Sequence, residues 1–369
     1  LRGDSIVAAP DKPWEGGEWP TIRLEWEAVL PRAHLRFGAS GDAYWFGNAL
    51  PILAVYDGEW RDYPYTGAGD PFFSEIADYH VRIAAPEKYV VTATGTERRA
   101  AAKQEEEAGA LGGLPEAQAS GMAITIVDAP LVREFAFALS ASHKMVEADA
   151  ENGMKVRVHY RNASERRAKE AAKAAAEMAQ LMTDTVGEMP YGETDIFENE
   201  MFITGMEYPG LVFVRADRLN AAAGLETVVH EVAHQWFYNV VGNDQVMEPW
   251  LDEAFATYFA DGYLLGDRMD ETYAERLRSL RNDARFGSVA EYGTWSAYWN
   301  GNYRKGSLML HALRGELGEE GFRKFVREYY DKHRFGVATT ASFIETAEEV
   351  RGEPLDAFFD MWGLGDLSQ

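Results

Sequence analysis

Cysteine is absent from all 369 residues of the chain. Without it there is no disulfide framework, no thiolate metal ligand and no cysteine nucleophile, so any metal site must be built from histidine and carboxylate side chains. Basic residues are also scarce. The chain has 36 Lys and Arg against 60 Asp and Glu, a formal charge of −24. That charge has the wrong sign for binding nucleic acid or an anionic membrane, so neither is an expected partner.

Long apolar runs are missing as well. The longest, such as residues 49–56, fall far short of the roughly 18 residues that a membrane span needs, so we expect no membrane span. The chain starts at Leu1, with no Met and no charged-then-apolar leader, which favours a processed or trimmed product. Together with the absence of cysteine, this start favours an extracellular or cell-envelope location over the cytoplasmic alternative.

Material for a buried core is ample, since 46% of the residues are hydrophobic, and the length corresponds to two or three domains. Early in the chain, short stretches with period-two patterning lie between Gly, Pro and Asp turns, which predicts antiparallel sheet. These predicted strands cover residues 21–30, 79–83, 89–94 and 122–127. Residues 95–121, rich in Ala, Glu and Gly, are expected to form a solvated hairpin loop or insertion.

The pattern changes near residue 150, where we place a boundary between domains at 1–149 and 150–369. Helical periodicity dominates the second half of the chain. The elements predicted just after the boundary are a strand at 154–160, a helix at 165–186 and strands near 200–204 and 211–214. The predicted fold class is therefore α+β, an antiparallel sheet domain followed by a mixed α/β domain.

Candidate chemistry begins with the pattern HExxH, formed by His230, Glu231 and His234. On an α-helix the two histidines lie about 40° apart and about 6 Å along the same face, so both imidazoles can reach one cation. Glu253 follows 19 positions after His234, on a second helix otherwise suited to burial. Two His and one Glu leave a zinc position open for water. The alternative makes both histidines hydrogen-bonded core residues, and Glu231 and Glu253 surface charges.

These residues resemble the M1 family of zinc aminopeptidases, in the gluzincin clan. Glu253 lies within Trp-Leu-Asp-Glu-Ala-Phe-Ala-Thr-Tyr at residues 250–258, at the family's distance from HExxH. Residues 204–209, Thr-Gly-Met-Glu-Tyr-Pro, are similar to the exopeptidase motif Gly-Ala-Met-Glu-Asn. Residues 303–306, Tyr-Arg-Lys-Gly, resemble the segment that holds the family's catalytic tyrosine. The resemblance extends from about residue 44 to residue 364.

The resemblance implies an N-terminal β-saddle domain followed by a thermolysin-like catalytic domain. It implies a zinc-dependent aminopeptidase with one Zn²⁺ held by His230, His234 and Glu253. Glu231 would be the general base that takes a proton from the attacking water. Tyr303 would stabilise the oxyanion, although a Tyr beside two basic residues could instead be a surface packing residue.

The same resemblance makes Gly205, Met206, Glu207 and Tyr208 substrate-binding residues. Glu207 would pair with the protonated N-terminus of a peptide and restrict cleavage to the first peptide bond. The backbone of Gly205 and Met206 would run alongside the peptide, so the expected partners are peptides with a free N-terminus. Tyr208 stands where the family has Asn, and its role is open. The oligomeric state, the preferred N-terminal side chain and the physiological substrate are not determined by the sequence.

Two further departures from the family affect the expected site. The family's large C-terminal helical domain is missing or was not included, and without it we expect a more open cleft. The resemblance is to a bacterial member of the family. The saddle is short at its start, which leaves Asn48 as the candidate for the polar residue that assists amine binding.

Several alternatives stay open at this point. Glu226, one turn before His230, could hydrogen-bond a ligand imidazole or form a local cap or ion pair. The aromatic side chains at Trp295, Tyr298 and Trp299 could line a side-chain pocket or pack in the core. Two rival functions remain: a zinc endopeptidase on the same scaffold, favoured if the Tyr in place of the family Asn spoils amine recognition, and a non-catalytic binding module.

Overall fold

A computed structural model describes residues 5–9, 11–12, 14–31, 35–67, 69–101, 121–221, 223–281 and 283–365. Most of the loop expected at 95–121, namely residues 102–120, lies outside the described residues. Within the described ranges, no helix combines the length and apolar character needed to cross a membrane.

Two antiparallel sheets form the N-terminal part of the chain. Their strands are β1 Phe37–Ser40, β2 Ala43–Phe46, β3 Ala77–Pro86, β4 Val90–Ala93, β5 Thr96–Ala101, β6 Met122–Val132 and β7 Phe137–Ser140. One sheet has the order β1-β2-β7-β4 and the other has the order β3-β6-β5. Side chains alternate in burial along β2 and β7, as in β2, where Ala43 and Trp45 are buried and their neighbours are half-buried. This alternation is what a sheet covered on one face requires.

The period-two patterning predicted most of these strands correctly. Strands β3, β4 and β6 confirm the predictions at 79–83, 89–94 and 122–127. The prediction at 21–30 was wrong, because that segment forms no strand and is exposed except at its half-buried end. Alternation defines a strand only where a neighbouring strand shares its backbone hydrogen bonds.

The expected loop at 95–121 also needs a correction at its start. Residues Thr96–Ala101 form strand β5, which pairs with β6 in antiparallel register. Gly95 has a φ of 100°, a backbone conformation that favours glycine. The chain therefore turns at this glycine and continues as a strand.

A mixed five-stranded sheet begins the C-terminal part. Its strands are β8 Lys144–Asp149, β9 Lys155–Tyr160, β10 Glu193–Asn199, β11 Gly205–Met206 and β12 Leu211–Arg215. In the order β11-β12-β10-β9-β8, the three central strands are parallel and the two outer pairings are antiparallel. The strands predicted at 154–160 and 211–214 are confirmed, whereas 200–204 is wrong because it lies between β10 and β11.

The domain boundary at 149/150 stays a prediction. Strand β8 precedes that boundary but pairs along its whole length with β9, from Lys144 opposite Tyr160 to Asp149 opposite Lys155. This pairing favours a boundary a few residues earlier, before Lys144.

Helices make up most of the remaining chain. They are α1 Glu165–Thr185, α2 Ala216–Asn220, α3 Gly224–Ala233, α4 Trp250–Leu265, α5 Met269–Arg278, α6 Trp295–Trp299, α7 Gly306–His333, α8 Thr340–Arg351 and α9 Asp356–Trp362. Helix α1 confirms the prediction at 165–186, and the Ser164 hydroxyl caps it by accepting from the backbone N–H of Arg167. Six residues, Asn300–Lys305, form a π-helical turn before α7. Sheets in the first part and mixed α/β structure in the second confirm the α+β class.

Burial of one face of α3 positions the HExxH residues. Val228, Val229 and Val232 are fully buried in the largest hydrophobic core. Behind the helix, the ring of Phe237 stacks on that of Phe255 in α4 at a centroid distance of 4.0 Å. Each such buried side chain contributes roughly 1.5–3 kcal/mol. The core therefore fixes how α3 and α4 face each other, and it leaves the opposite face of α3 free for polar residues.

Arg133, just after β6, ties the N-terminal sheets to the helical part of the chain. Its guanidinium donates to the carbonyl oxygens of Ser74 at 2.6 Å, Tyr238 at 2.9 Å and Gly336 at 2.8 Å. The side chain is 1% exposed, so water cannot replace these bonds. Without its donors, the buried carbonyl oxygens of Ser74 and Tyr238 would lose this partner, and that of Gly336 would keep only the backbone N–H of Gly242.

We therefore predict that Arg133→Met lowers the free energy of unfolding by about 3 kcal/mol or more. The measurement is equilibrium unfolding in urea. The control is Arg166→Met on α1, where an exposed side chain pairs with Glu170 and the expected change is within about 0.5 kcal/mol. Equal effects of the two substitutions would contradict the bridging role of Arg133.

Candidate functional site

Two neighbouring helices bring the three predicted metal ligands together. His230 lies in α3, His234 follows at its C-terminal end, and Glu253 lies in the first turn of α4. Nε2 of His230 is 3.1 Å from Nε2 of His234 and 3.2 Å from Oε2 of Glu253. The third side, between His234 Nε2 and Glu253 Oε2, measures 3.4 Å. We call these three residues the metal triangle.

The metal triangle fits a zinc ion. Bonds of about 2.0–2.1 Å in tetrahedral geometry place neighbouring donor atoms about 3.3 Å apart, close to each of the three separations. Two imidazole nitrogens and one carboxylate oxygen are also the donor set of zinc sites that keep one coordination position open. The distances within the metal triangle and its donor atoms therefore both fit zinc.

Hydrogen bonds orient two of these ligands. Nδ1 of His234 lies 3.1 Å from the carbonyl oxygen of Phe237, and donation of its proton there leaves the Nε2 lone pair facing the metal triangle. The hydroxyl of Tyr303 donates to Oε1 of Glu253, which leaves Oε2 for a metal. Burial raises the pKa of Glu253, but hydrogen bonds and positive charge from the two imidazoles, in their protonated form, lower it to about 2. The carboxylate is therefore ionised at neutral pH.

A second cluster of acidic and histidine side chains lies next to the metal triangle. Ligand atoms of Glu207, His234 and Asp252 lie within 4.8 Å of one another. Between the two carboxylates, Nε2 of Gln245 donates to Glu207 at 3.2 Å and to Asp252 at 2.7 Å. Because an amide N–H group links these carboxylates, the second cluster is a poorer metal site than the metal triangle.

A cavity of about 910 Å³ opens over the metal triangle. Four of the other residues predicted to act on substrate line it: Gly205, Glu207, Glu231 and Tyr303. The buried carboxylate of Glu231 lies against the edge strand β11, because a Cβ atom added at Gly205 would be only 2.0 Å from its Oε1. Burial raises the pKa of Glu231 to about 7. This residue can therefore take up a proton near neutral pH.

Glu207 lies beyond β11 and is 4% exposed. Burial raises its pKa well above the usual range, and the negative charges of Asp70 and Glu231 raise it further. A cation placed in the cavity beside Glu207 would favour its ionised form. The surroundings of this carboxylate are thus suited to a positively charged ligand.

Two of the predicted substrate-binding residues have side chains that point away from the cavity, which leaves only their backbone for the predicted contact with a peptide. Met206 and Tyr208 are buried in a hydrophobic cluster with Trp45, because alternate residues of an extended segment face opposite sides. Asn48 does not line the cavity either. Its Oδ1 accepts from the Tyr208 hydroxyl at 2.5 Å, and its Nδ2 lies 3.4 Å from Glu134.

Tyr303 reaches the cavity from the π-helical turn before α7. Its ring stacks on that of His230 at a centroid distance of 5.6 Å and an interplanar angle of 13°. Burial raises the pKa of its hydroxyl well above the usual range, so the group stays protonated and can donate a hydrogen bond. Insertions of this kind in helices are frequent at functional sites.

The structure also bears on the alternatives left open by the sequence. Glu226 lines the cavity, and in the described part of the chain no hydrogen bond joins it to His230. The aromatic cluster divides in two. Trp295 and Trp299 are about half exposed and line the cavity, whereas Tyr298 is 1% exposed and packs edge-on against Tyr303.

Sequence reasoning missed several polar residues around the site. Arg36 and Asp70 form a buried ion pair of 2.5 Å in the cavity wall, although they lie far apart in the sequence and carry no motif. Gln245 was missed for the same reason. Asp252 could have been predicted most easily of these residues, because it directly precedes Glu253 in the segment at residues 250–258.

Comparison with known proteins decides which family this site belongs to. The sequence model of the Peptidase family M1 domain matches residues 170–362, more than half of the chain. The matched range contains the metal triangle, Glu231 and Tyr303. The chain belongs to peptidase family M1. Membership in this family implies a zinc cofactor.

Curated relatives of this M1 member are named aminopeptidases. Aminopeptidase M1-A of Oryza sativa subsp. japonica is 29% identical over 59% of this chain and 27% of its own length. Aminopeptidase N of Lactobacillus delbrueckii subsp. lactis is 32% identical over 37% of this chain and 18% of its own length. The matched segments thus cover less than a third of the length of either relative.

Solved structures share the fold at low sequence identity. The crystal structure of an M1 zinc metallopeptidase from Deinococcus radiodurans matches with a TM-score of 0.63 and 17% identity, over 90% of this chain and 73% of that one. A mutant of it bound to a Tyr-Ser-Ala substrate matches with a TM-score of 0.65 and 18% identity, over 92% of this chain and 74% of that one. Both sheet regions and the helical part of this M1 member therefore have a known architecture.

We predict that Glu253→Gln removes zinc from the protein. The substitution takes away the anionic ligand of the metal triangle and leaves its volume unchanged. The measurement is zinc per chain by plasma mass spectrometry, after dialysis against a weak chelator, with a single ion expected in the unmodified protein. Glu226→Gln, in the same cavity, is the matched control and should keep its zinc. Zinc retained by Glu253→Gln would refute this ligand assignment.

Proposed function

We propose that this protein is a zinc-dependent aminopeptidase that removes N-terminal residues from peptides. The observation that carries the proposal is the position of Glu207, a buried carboxylate in the same cavity as the metal triangle. A protonated peptide N-terminus bound there would place the first peptide bond beside the metal ligands. The aminopeptidase names of the curated relatives support this substrate class.

The edge strand of the five-stranded sheet is suited to hold the peptide backbone. Gly205 lines the cavity without a side chain, and among the described strands β11 pairs with β12 alone. Its free edge can hydrogen-bond an extended peptide by strand addition. The predicted backbone role of Gly205 and Met206 fits this arrangement, although the Met206 side chain lies in the core.

Proton transfer is assigned to Glu231. Zinc, when bound to the metal triangle, supplies a Lewis acid that acidifies a water molecule and polarises the scissile carbonyl. The carboxylate of Glu231 accepts a proton from the attacking water and then delivers it to the departing amine. Burial raises the pKa of this carboxyl, which favours acceptance of the proton, and the positive charge of a bound zinc ion would favour its release to the amine.

Oxyanion stabilisation is assigned to Tyr303. Its hydroxyl already lies within hydrogen-bond distance of Glu253, next to the position that a scissile carbonyl would occupy. Loss of one such donor typically costs about 2.7–4 kcal/mol of transition-state stabilisation, a factor of about 100 to 1,000 in rate. The protonated state favoured by burial is the one that this role needs.

The two rival functions lose support from the site. The endopeptidase alternative depended on interference by Tyr208, whose side chain lies in the core and leaves the cavity free. The binding-module alternative requires the loss of a ligand or of the acid, yet every member of the metal triangle and Glu231 is present. A panel of alanine p-nitroanilide, unblocked peptides and N-acetylated peptides separates the three functions. Cleavage of blocked peptides alone would overturn the aminopeptidase proposal.

Glu207→Gln tests amine recognition. The amide keeps the size of the side chain but removes the charge that would pair with an ammonium group, so we expect kcat/KM for unblocked peptides to fall by about 100-fold. Zinc content should be unchanged, because Glu207 is outside the metal triangle. An endopeptidase would be nearly indifferent to this substitution, and so a small effect on unblocked peptides would contradict the proposal.

Gly205→Ala tests the contact between the edge strand and the base. The new methyl group would overlap the carboxylate of Glu231, since the two atoms would lie 2.0 Å apart, and we expect turnover to fall by at least about 10-fold. Gly192→Ala is the control, because nothing lies within 4 Å of its added Cβ. Wild-type turnover by Gly205→Ala, with zinc bound, would contradict this placement of Glu231.

A further inference from the structure

Charge is distributed unevenly along the cavity. Four arginines line one end of it, at positions Arg215, Arg218, Arg276 and Arg304. This concentration is notable in a chain with a formal charge of −24. Two acidic residues, Glu226 and Asp261, line the same end.

Two of these arginines are already neutralised. Arg215 donates to Asp217 at 2.6 and 3.0 Å and to the carbonyl oxygen of Phe202. Arg276 forms hydrogen bonds with both carboxylate oxygens of Asp261. Because a carboxylate neutralises each of these two arginines, neither has a net positive charge available to an anionic ligand.

The other two arginines have no carboxylate partner in the described part of the chain. Arg304 donates to the hydroxyl of Ser279 and to a backbone carbonyl oxygen, and its Nε is buried without a partner. Arg218 makes no ion pair there, and its buried Nε also has no partner. Together they carry two positive charges, against the single carboxylate of Glu226 at the same end.

The direction of the two metal-binding helices shows where this end lies. Along α3, His234 at the C-terminal end is close to Glu207. At the N-terminal end, Gly224 packs closely against the backbone of Arg218. A Cβ atom added at Gly224 would lie only 1.7 Å from the Arg218 carbonyl oxygen. Gly224 precedes His230 by six residues, about 9 Å of helix. The metal triangle therefore lies between Glu207 and Arg218.

The same order, from Glu207 through the metal triangle to an arginine, is found along helix α4. Asp252 at its start is linked to Glu207 through Gln245, and Asp261, eight residues after Glu253, is bound to Arg276. Eight residues correspond to about 12 Å of helix. The Arg304 side chain donates to the backbone of Arg276, so it lies at this same far end.

From this arrangement we propose that Arg218 and Arg304 bind a carboxylate on the leaving side of a short peptide substrate. The inference rests on the proposed function, because Glu207 defines the amine end. An extended peptide advances about 3.3–3.5 Å per residue. A carboxylate two or three residues past the scissile bond would thus reach the arginines, and guanidinium groups bind carboxylates in a bidentate manner. The preferred substrates are peptides of three or four residues with a free C-terminus.

The test compares Ala-Ala-Ala and Ala-Ala-Ala-Ala with their C-terminal amides. Charge-assisted hydrogen bonds predict a kcat/KM at least about 10-fold higher for the free acids, mainly through KM. The double variant Arg218→Gln, Arg304→Gln should bring that ratio close to one. The matched control Arg281→Gln, an exposed arginine paired with Asp283, should keep the ratio. Equal rates for acids and amides in the unmodified protein would overturn the proposal, even if the double variant does not fold.

Two further measurements separate the possible results. Amides that carry Asp in place of the last Ala show whether a side-chain carboxylate also binds, since they would regain the lost rate. Hydrolysis of alanine p-nitroanilide, which has no carboxylate, tests the proposed function independently of the arginines. If that hydrolysis is absent, calorimetric binding of Ala-Ala-Ala and its amide to the zinc-loaded Glu231→Gln variant still decides the inference. Equal dissociation constants would refute it.

Discussion

Buried negative charge is the constraint on which the site depends. Five carboxylates at positions Asp70, Glu207, Glu231, Asp252 and Glu253 are each less than 9% exposed around one cavity. The buried ion pair with Arg36 neutralises one of them, and Gln245 shares its amide between two others. Burial of unpaired carboxylates is costly. A divalent metal and the proposed substrate ammonium group would supply the missing positive charge.

Apolar packing fixes the positions of the metal ligands relative to one another. The core holds α3 and α4 through Val228, Val232 and the stacked rings of Phe237 and Phe255, so that ligands 19 residues apart in sequence meet within 3.4 Å. Both helices then extend from the metal triangle in the same direction, towards the arginines. The N-terminal part of the chain completes the cavity wall through Arg36 and Asp70, which lie outside its strands, and Arg133 ties this part to the helical part. One cavity thus has an acidic end, a metal centre and a basic end.

Local patterns made much of this predictable. A helix repeat of 3.6 residues placed His230 and His234 on one face, and period-two alternation identified strands such as β6. What failed depended on non-local structure. Residues 21–30 alternate but have no strand beside them, and side-chain direction along 205–208 could not be known before β11 was paired with β12. Only the folded structure brings Arg36 and Asp70 to the cavity wall, so their position could not be predicted from sequence spacing.

The most direct test of the account is X-ray diffraction at the zinc absorption edge, on crystals grown with one equivalent of zinc. We predict a single anomalous peak about 2.0–2.2 Å from Nε2 of His230, Nε2 of His234 and a carboxylate oxygen of Glu253. A peak at the cluster of Glu207 and Asp252 instead, or none within bonding distance of Glu253, would contradict the central claim that these two helices hold one metal ion.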